Sequence, residues 1–283
     1  MLFTGISLSK KRLVVLAIIA GLVLSAAAFL TTNQAHAAKL SGELHISGSN
    51  TVFPLSHALA KEFMKRNKNV KITVTGPGTN VGIQDLLAGK VPLAGASRPL
   101  KPEEKAQGLK AYVIAREALV IVVHPKNKVK GLTMEQVMNI YLGKITNWKD
   151  VGGADAPIMA YSRPPASGTF DYFNELFLKK QPQAPTVKML ETHGLNREAV
   201  VKNPNAIAYL AFAYVNKKVK PVALNGVVPN KKTIEKGQYP VIRPLFHVTK
   251  GEPTGLTKEF LKWVLSPAGQ NVVKKEYLPA KKK

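Results

Sequence analysis

No cysteine occurs among the 283 residues, so neither a disulfide nor a thiolate metal site is available, and the core must be held by packing alone. The same absence excludes a lipid tether through a lipobox cysteine. Acidic residues are scarce, 17 against 41 Lys and Arg, which leaves a formal charge of +24. The carboxylates are scattered and several sit beside lysines, so no pair for acid–base work can be nominated, and Glu103-Glu104 reads as a solvated first helical turn. The six histidines lie far apart, with no His-x-x-x-His or His/carboxylate cluster, and each reads as a surface or packed residue rather than a metal ligand. There is no Gly-x-Ser-x-Gly elbow. Gly89-Lys90 and Gly143-Lys144 lack the Ser or Thr that a P-loop needs next. No cofactor is called for. Aromatic residues are only 7% and are not interleaved with the basic ones, which argues against specific nucleic-acid binding. The charge excess attracts anions of every kind.

The N-terminus has the form of an export signal. Lys10, Lys11 and Arg12 precede an uncharged apolar run over residues 13–30, and Ala35-His36-Ala37 fits the small-x-small cleavage rule. Cleavage after Ala37 would release a periplasmic or extracellular protein. The alternative is an uncleaved anchor, since the run is near spanning length.

After that segment the pattern is strand, polar turn, helix, repeated. Leu44-His45-Ile46 reads as a strand, Gly48-Ser49-Asn50-Thr51 as a turn, and Leu55, Leu59 and Phe63 recur at helical spacing through Met64. A strand is expected at 70–75, a turn at 76–80, a helix at 81–87 and a strand at 91–96, closed by Ser97-Arg98-Pro99. Residues 117–123 read as a buried strand, 133–141 as a helix capped by Thr133, and 157–161 and 206–210 as strands. Residues 217–230 are lysine-rich and irregular, and 257–265 and 267–275 are helices. Helix starts gathered along one edge of a sheet make this an α/β protein.

The most informative stretch is Tyr161-Ser-Arg-Pro-Pro-Ala-Ser-Gly-Thr-Phe170: an arginine, a short loop, then a Ser-Gly-Thr helix start. A helix start offers unpaired N–H groups and partial positive charge, and glycine lets a ligand approach the backbone. A guanidinium beside it supplies a planar fork that fits a tetrahedral oxyanion. Ser49-Asn50-Thr51, Thr79-Asn80 and Ser97-Arg98 share that character. Each is an ordinary cap when taken alone. If two sit on each side of a cleft, their donors converge on one buried anion.

These motifs in this order carry a resemblance. Ser-Gly-Ser-Asn-Thr at 47–51, Gly-Pro-Gly-Thr-Asn-Val-Gly-Ile at 76–83, Gly-Ala-Ser-Arg-Pro-Leu at 95–100 and Arg163-x-x-x-Ser167-Gly168-Thr169 are similar to the phosphate-binding proteins of Pst-type ABC transporters. So are Ile-Tyr-Leu-Gly-Lys-Ile-Thr-Asn-Trp at 140–148, Asn-Pro-Asn-Ala-Ile-Ala-Tyr at 203–209, Tyr-Pro-Val-Ile-Arg-Pro-Leu at 239–245 and Leu-Ser-Pro-Ala-Gly-Gln at 265–270. The resemblance implies a two-lobe type II periplasmic-binding-protein fold with a ligand cleft between lobes. It divides the chain into a signal peptide (1–37), the N-terminal part of lobe 1 (38–115), lobe 2 (116–222), and a crossover returning to lobe 1 (223–283). It implies an exported, monomeric, non-enzymatic protein that captures inorganic phosphate for a membrane ABC permease. The same fold binding sulfate or molybdate, or acting as a basic envelope interaction protein, is the alternative.

Carried over by position, the anion ligands would be Ser49, Thr51, the Val52 backbone N–H, Thr79, Asn80, Ser97, Arg98, Arg163, Ser167, Gly168 and Thr169. Two positions depart from the family pattern. Arg98 stands where an aspartate often accepts the proton of hydrogen phosphate, so the choice between phosphate and sulfate stays open. Pro165 stands where an aspartate often steadies the binding arginine. Arg98 reads equally as a ligand and as a rim residue pointing to solvent.

Overall fold

The computed structural model describes residues 40–281, so the signal segment and its cleavage site lie outside the described residues. The chain begins β1 (Ser41–Gly48), α1 (Phe53–Arg66), β2 (Asn69–Val74), α2 (Thr79–Leu87), β3 (Leu93–Ala96), α3 (Pro102–Ala106) and β4 (Leu109–Val123). It continues through β5 (Gly131–Leu132), α4 (Met134–Tyr141), β6 (Met159–Ser162), α5 (Gly168–Leu176), β7 (Lys188–Met189), α6 (His193–Lys202) and β8 (Ala206–Ala211). Short strands β9 (Lys220–Pro221) and β10 (Ala223–Leu224) lead to α7 (Lys231–Glu235). The chain then returns by β11 (Ile242–Lys250), α8 (Gly255–Leu265), α9 (Pro267–Val273) and β12 (Leu278–Pro279).

One long strand organises everything. The first ten residues of β4 pair antiparallel with β11 (Ala118↔Ile242 to Leu109↔Lys250), and the rest pair with β8 (Leu119↔Ala211 to Val123↔Ile207). The sheet therefore runs β2-β1-β3-β11-β4-β8-β6-β7, with β9 and β12 added on β4. The apolar run Ala118–Val123 is buried throughout, as a strand covered on both faces must be. The segment before β11 crosses beside β4, with the Leu119 N–H bonded to the Val241 carbonyl at 3.1 Å.

Two larger cores flank that crossing, and a third cluster of Ile83, Leu86, Ala94, Phe246 and Val248 joins α2 to β3 and β11. One of the larger two gathers Leu44, Ile46, Leu59, Leu93, Phe63 and Phe260, the last two edge to face at 5.3 Å. The other gathers Val120, Tyr141, Phe173 and Tyr209, with Phe173 stacked on Tyr209 at 4.0 Å. Each half is a parallel β–α unit, β2-β1-β3 in the first and β8-β6-β7 in the second. The turns after β1, β2, β3 and β6 open at the junction between them.

Most expected elements appear. The strand expected at 117–123 is longer, beginning at Leu109, because the earlier residues pair with β11. The irregular stretch at 217–230 holds the short strands β9 and β10. Two elements had no periodic signal. The buried face of α6 carries His193 and Asn196 with a single Val200, so no apolar stripe exists to read. Strand β11 contains Arg243, Pro244 and His247, residues unusual in a central strand, and its register shifts at Leu245/Phe246.

Candidate functional site

The four polar turns meet. On the first half, Gly78 holds φ 133° and opens α2 at Thr79. The Thr79 hydroxyl accepts from the Ser97 N–H at 3.2 Å and lies 3.4 Å from the Ser97 hydroxyl. On the second half, Ser167 caps α5 by accepting from the Thr169 N–H at 3.2 Å. Between the halves, Thr51 Oγ1 lies 3.0 Å from Thr169 Oγ1 and 2.8 Å from His193 Nε2. Arg243 closes the ring, donating to the Ser97 carbonyl at 3.1 Å and to Thr169 Oγ1 at 3.0 Å. A continuous polar chain thus runs Thr79–Ser97–Arg243–Thr169–Thr51–His193, all of it buried.

Two glycines permit this approach. A Cβ on Gly168 would stand 2.4 Å from Thr79 Oγ1 and 3.0 Å from Ser97 Oγ. One on Gly78 would stand 2.6 Å from the Ala166 carbonyl. Any side chain at either position would hold the halves apart.

Electrostatically the site is positive. Arg163 is 2% exposed and meets no carboxylate. Its Nη2 donates to the Glu191 carbonyl at 2.5 Å, while Nε and Nη1 are buried with no hydrogen-bond partner. Burial, joined by the like charge of Arg243, lowers its pKa to about 10, so it remains charged at neutral pH. Arg243 itself is neutralised by Glu117, whose Oε1 accepts from its Nε at 3.0 Å and Nη2 at 2.7 Å. Burial pushes the Glu117 carboxyl up, and the Arg243 charge opposes that push. His193 is held well below the usual imidazole range by burial and then by the charges of Arg163 and Arg243. It is neutral at pH 7. The net result is one guanidinium without a carboxylate partner and with two buried donors unpaired, within electrostatic reach of Arg243 and His193, an arrangement that favours an anion.

Of the residues expected to bind an anion, Thr51, Thr79, Ser97, Gly168 and Thr169 come together as above, with Ser167 as the cap of the same helix start. Arg163 projects from the turn after β6, its backbone N–H bonded to the Tyr209 hydroxyl at 3.2 Å. The role that an aspartate at position 165 would have in steadying it falls to the Glu191 carbonyl. Ser49 works on its own turn, its hydroxyl accepting from the N–H groups of Thr51 (3.2 Å) and Val52 (3.4 Å). The Val52 N–H is also turned to the Ser49 carbonyl at 3.1 Å, and its side chain lies in the first core.

Asn80 and Arg98 do not fit as anion donors. Asn80 Nδ2 donates to the Pro165 carbonyl (2.7 Å) and to Asp171 Oδ2 (3.1 Å), and its N–H to the Ala166 carbonyl (3.1 Å). Arg98 is neither on the rim nor free. Its five N–H groups go to Asp171, Pro99, Asn80 and both oxygens of Glu104. Glu104, expected to be solvated, is 7% exposed because it receives that fork. Burial raises its pKa, but the Arg98 bonds and the Lys101 N–H outweigh it and hold the carboxyl below the usual range.

Three contributors had no motif to mark them: His193, Glu117 and Asp171. Arg243 stands inside the Tyr-Pro-Val-Ile-Arg-Pro-Leu stretch at 239–245, but nothing there marks it as part of the site. Of the three, Glu117 left a usable sign, a carboxylate opening an otherwise apolar buried strand, which obliges a cation to be near.

Two α/β halves sharing one sheet, with helix starts and a free buried guanidinium between them, define a two-lobed binding protein. Residues 33–268 match the family model described as a PBP superfamily domain, and the chain belongs to that superfamily. It is 32% identical to the phosphate-binding protein PstS of Bacillus subtilis, over 96% of this chain and 95% of that protein. It is 35% identical to a PstS of Staphylococcus epidermidis, over 86% of this chain and 81% of that one. A Clostridium perfringens structure, described as a putative phosphate ABC transporter substrate-binding protein with bound phosphate, superposes with a TM-score of 0.80. The two are 38% identical, over 84% of this chain and 99% of that one. An ABC-type phosphate transport receptor from Vibrio cholerae gives a TM-score of 0.73 at 30% identity, over 84% of this chain and 100% of that one.

Proposed function

We propose that this chain is an exported solute-binding protein that captures inorganic phosphate between its lobes and hands it to a membrane ABC permease. The observation that carries the reading is Arg163: a buried guanidinium with no carboxylate partner and with Nε and Nη1 idle. The names of the relatives supply the identity of the anion. In this reading residues 1–37 are removed on export, 38–115 form the N-terminal part of lobe 1, 116–222 form lobe 2, and 223–283 cross over and return to lobe 1. The ligands are Thr51, Thr79, Ser97, Arg163, Ser167, the Gly168 backbone and Thr169.

Binding rather than catalysis is supported by how His193 is held. Its Nε2 meets the Thr51 hydroxyl, but Nδ1 has no partner, whereas a histidine that activates a nucleophile is oriented through its second nitrogen. Charge-assisted bonds to a buried oxyanion contribute roughly 1.5–3 kcal/mol each. Phosphate should therefore raise the melting temperature of the wild-type protein, and Arg163→Ala should abolish that rise. Undiminished stabilisation in the variant would remove Arg163 from the site, and no rise in the wild type with phosphate, sulfate or molybdate would end the oxyanion reading.

A further inference from the structure

The position next to the anion cradle on the first lobe is occupied by a residue whose hydrogen-bonding capacity is already spent. Arg98 Nε donates to Asp171 Oδ2 at 2.9 Å. Nη1 donates to the Pro99 carbonyl at 2.9 Å and Glu104 Oε2 at 2.8 Å, and Nη2 donates to Asn80 Oδ1 and Glu104 Oε1, both at 2.6 Å. A guanidinium has five N–H donors, and all five are placed. Pro99, Asn80 and Glu104 belong to the same lobe as Arg98. Asp171 alone belongs to the other.

Asp171 lies in the first turn of α5, the helix whose start carries Ser167, Gly168 and Thr169. Arg98 directly follows Ser97. The Arg98–Asp171 pair is therefore built on the two backbone segments that also carry site hydroxyls, one on each wall. Any rigid movement that brings Thr169 to Thr51 brings Asp171 to Arg98. Asn80 joins the same bond set, donating to Asp171 Oδ2 and accepting from Arg98.

We propose that Arg98 and Asp171 form a latch that sets how long a bound oxyanion is retained, although neither residue touches it. The Glu104 fork makes this a reversible device. When the lobes part, Arg98 keeps both oxygens of Glu104, so its charge is never left buried and alone, and opening carries no large desolvation penalty. Closure adds the Arg98–Asp171 contact, accompanied by Asn80 Nδ2 at 3.1 Å and Lys101 Nζ at 3.9 Å from the same carboxylate, at the edge of the cleft, where Asp171 retains 22% side-chain exposure. The contact exists only with the lobes together, so it slows dissociation and leaves encounter with the anion unaffected. Both residues are positioning residues, and this role rests on the phosphate-capture reading above.

The test compares wild type with Asp171→Asn, which keeps the shape and removes the charge, and with Arg98→Lys, which keeps the charge and removes the fork. Phosphate association and dissociation are measured by stopped flow, alongside affinities for phosphate and sulfate and the melting temperature of the phosphate-free protein. For Asp171→Asn the latch predicts dissociation about ten-fold faster, with association within about two-fold of wild type. The phosphate-to-sulfate affinity ratio and the ligand-free melting temperature should not change, and Asp171→Glu should recover part of the loss. Arg98→Lys should fall between wild type and Asp171→Asn. Unchanged dissociation in Asp171→Asn overturns the proposal, and a changed phosphate-to-sulfate ratio overturns it by placing the pair in contact with the ligand. If wild type binds no oxyanion, the capture reading fails instead, which is a separate result.

Discussion

Replacing Gly168 by alanine separates closure from folding. Gly168 opens α5 in helical conformation, so within its own lobe an alanine is as acceptable as glycine. The methyl group, however, would arrive 2.4 Å from Thr79 Oγ1, 2.7 Å from Thr79 Cβ and 3.0 Å from Ser97 Oγ, all on the opposite wall. Relief requires the lobes to stand apart by several tenths of an ångström or more, which also stretches the Thr51–Thr169 contact of 3.0 Å. Overpacking of this kind costs roughly 1–3 kcal/mol, and here that cost falls on the closed state only. Phosphate affinity, measured by isothermal titration calorimetry, should drop by about 5- to 150-fold, while the melting temperature of the ligand-free protein stays level. An affinity within two-fold of wild type would refute the argument that the cleft closes to the separation described here. A large fall in ligand-free stability would refute the claim that Gly168 is required only across the cleft.

Arg243→Met should destabilise the protein by about 3–5 kcal/mol in denaturant unfolding, because it strands Glu117 in the interior, and adding Glu117→Leu should recover much of the loss. Acid should destabilise the ligand-free protein early. His193 and His247 are neutral in the fold, His247 with its pKa lowered by burial to about 3. The unfolded chain takes up their protons near pH 6.5 while the folded chain does not, so stability falls as pH drops below that value. Each contributes about 1.4 kcal/mol per pH unit. For His247 the fall continues toward pH 3. His247→Gln should reduce the slope of unfolding free energy between pH 6 and 5 by about that amount, and an unaltered slope would show that His247 titrates normally.

Much of the site was legible because it is built from local backbone chemistry. A glycine before a Ser or Thr at a helix start, after a strand, dictates exposed N–H groups and hydroxyls wherever the chain goes. Thr51, Thr79, Ser97, Ser167 and Thr169 could be named from such turns, and Arg163 from its spacing to one of them. Arg98 was open to opposite readings because a guanidinium takes whatever acceptors surround it. Those acceptors are Glu104, six residues on, and Asp171, far along the chain, so only packing could decide. His193 had no local mark at all, and Arg243 stood in a quoted motif without a role, because a polar residue on a buried face breaks the hydrophobic rhythm that makes helices and strands readable.

The α/β class, the order of most elements and the anion-seeking character of the turns can be read from the chain alone, since each follows from short-range propensity, periodicity and charge. Which charges are spent and which are idle emerges on folding. Glu117 neutralises Arg243, and Glu104 with Asp171 absorbs Arg98, so Arg163 is left with two buried donors unpaired. The physical reason is that pairing energy depends on distance and burial in the folded state, and sequence separation fixes neither.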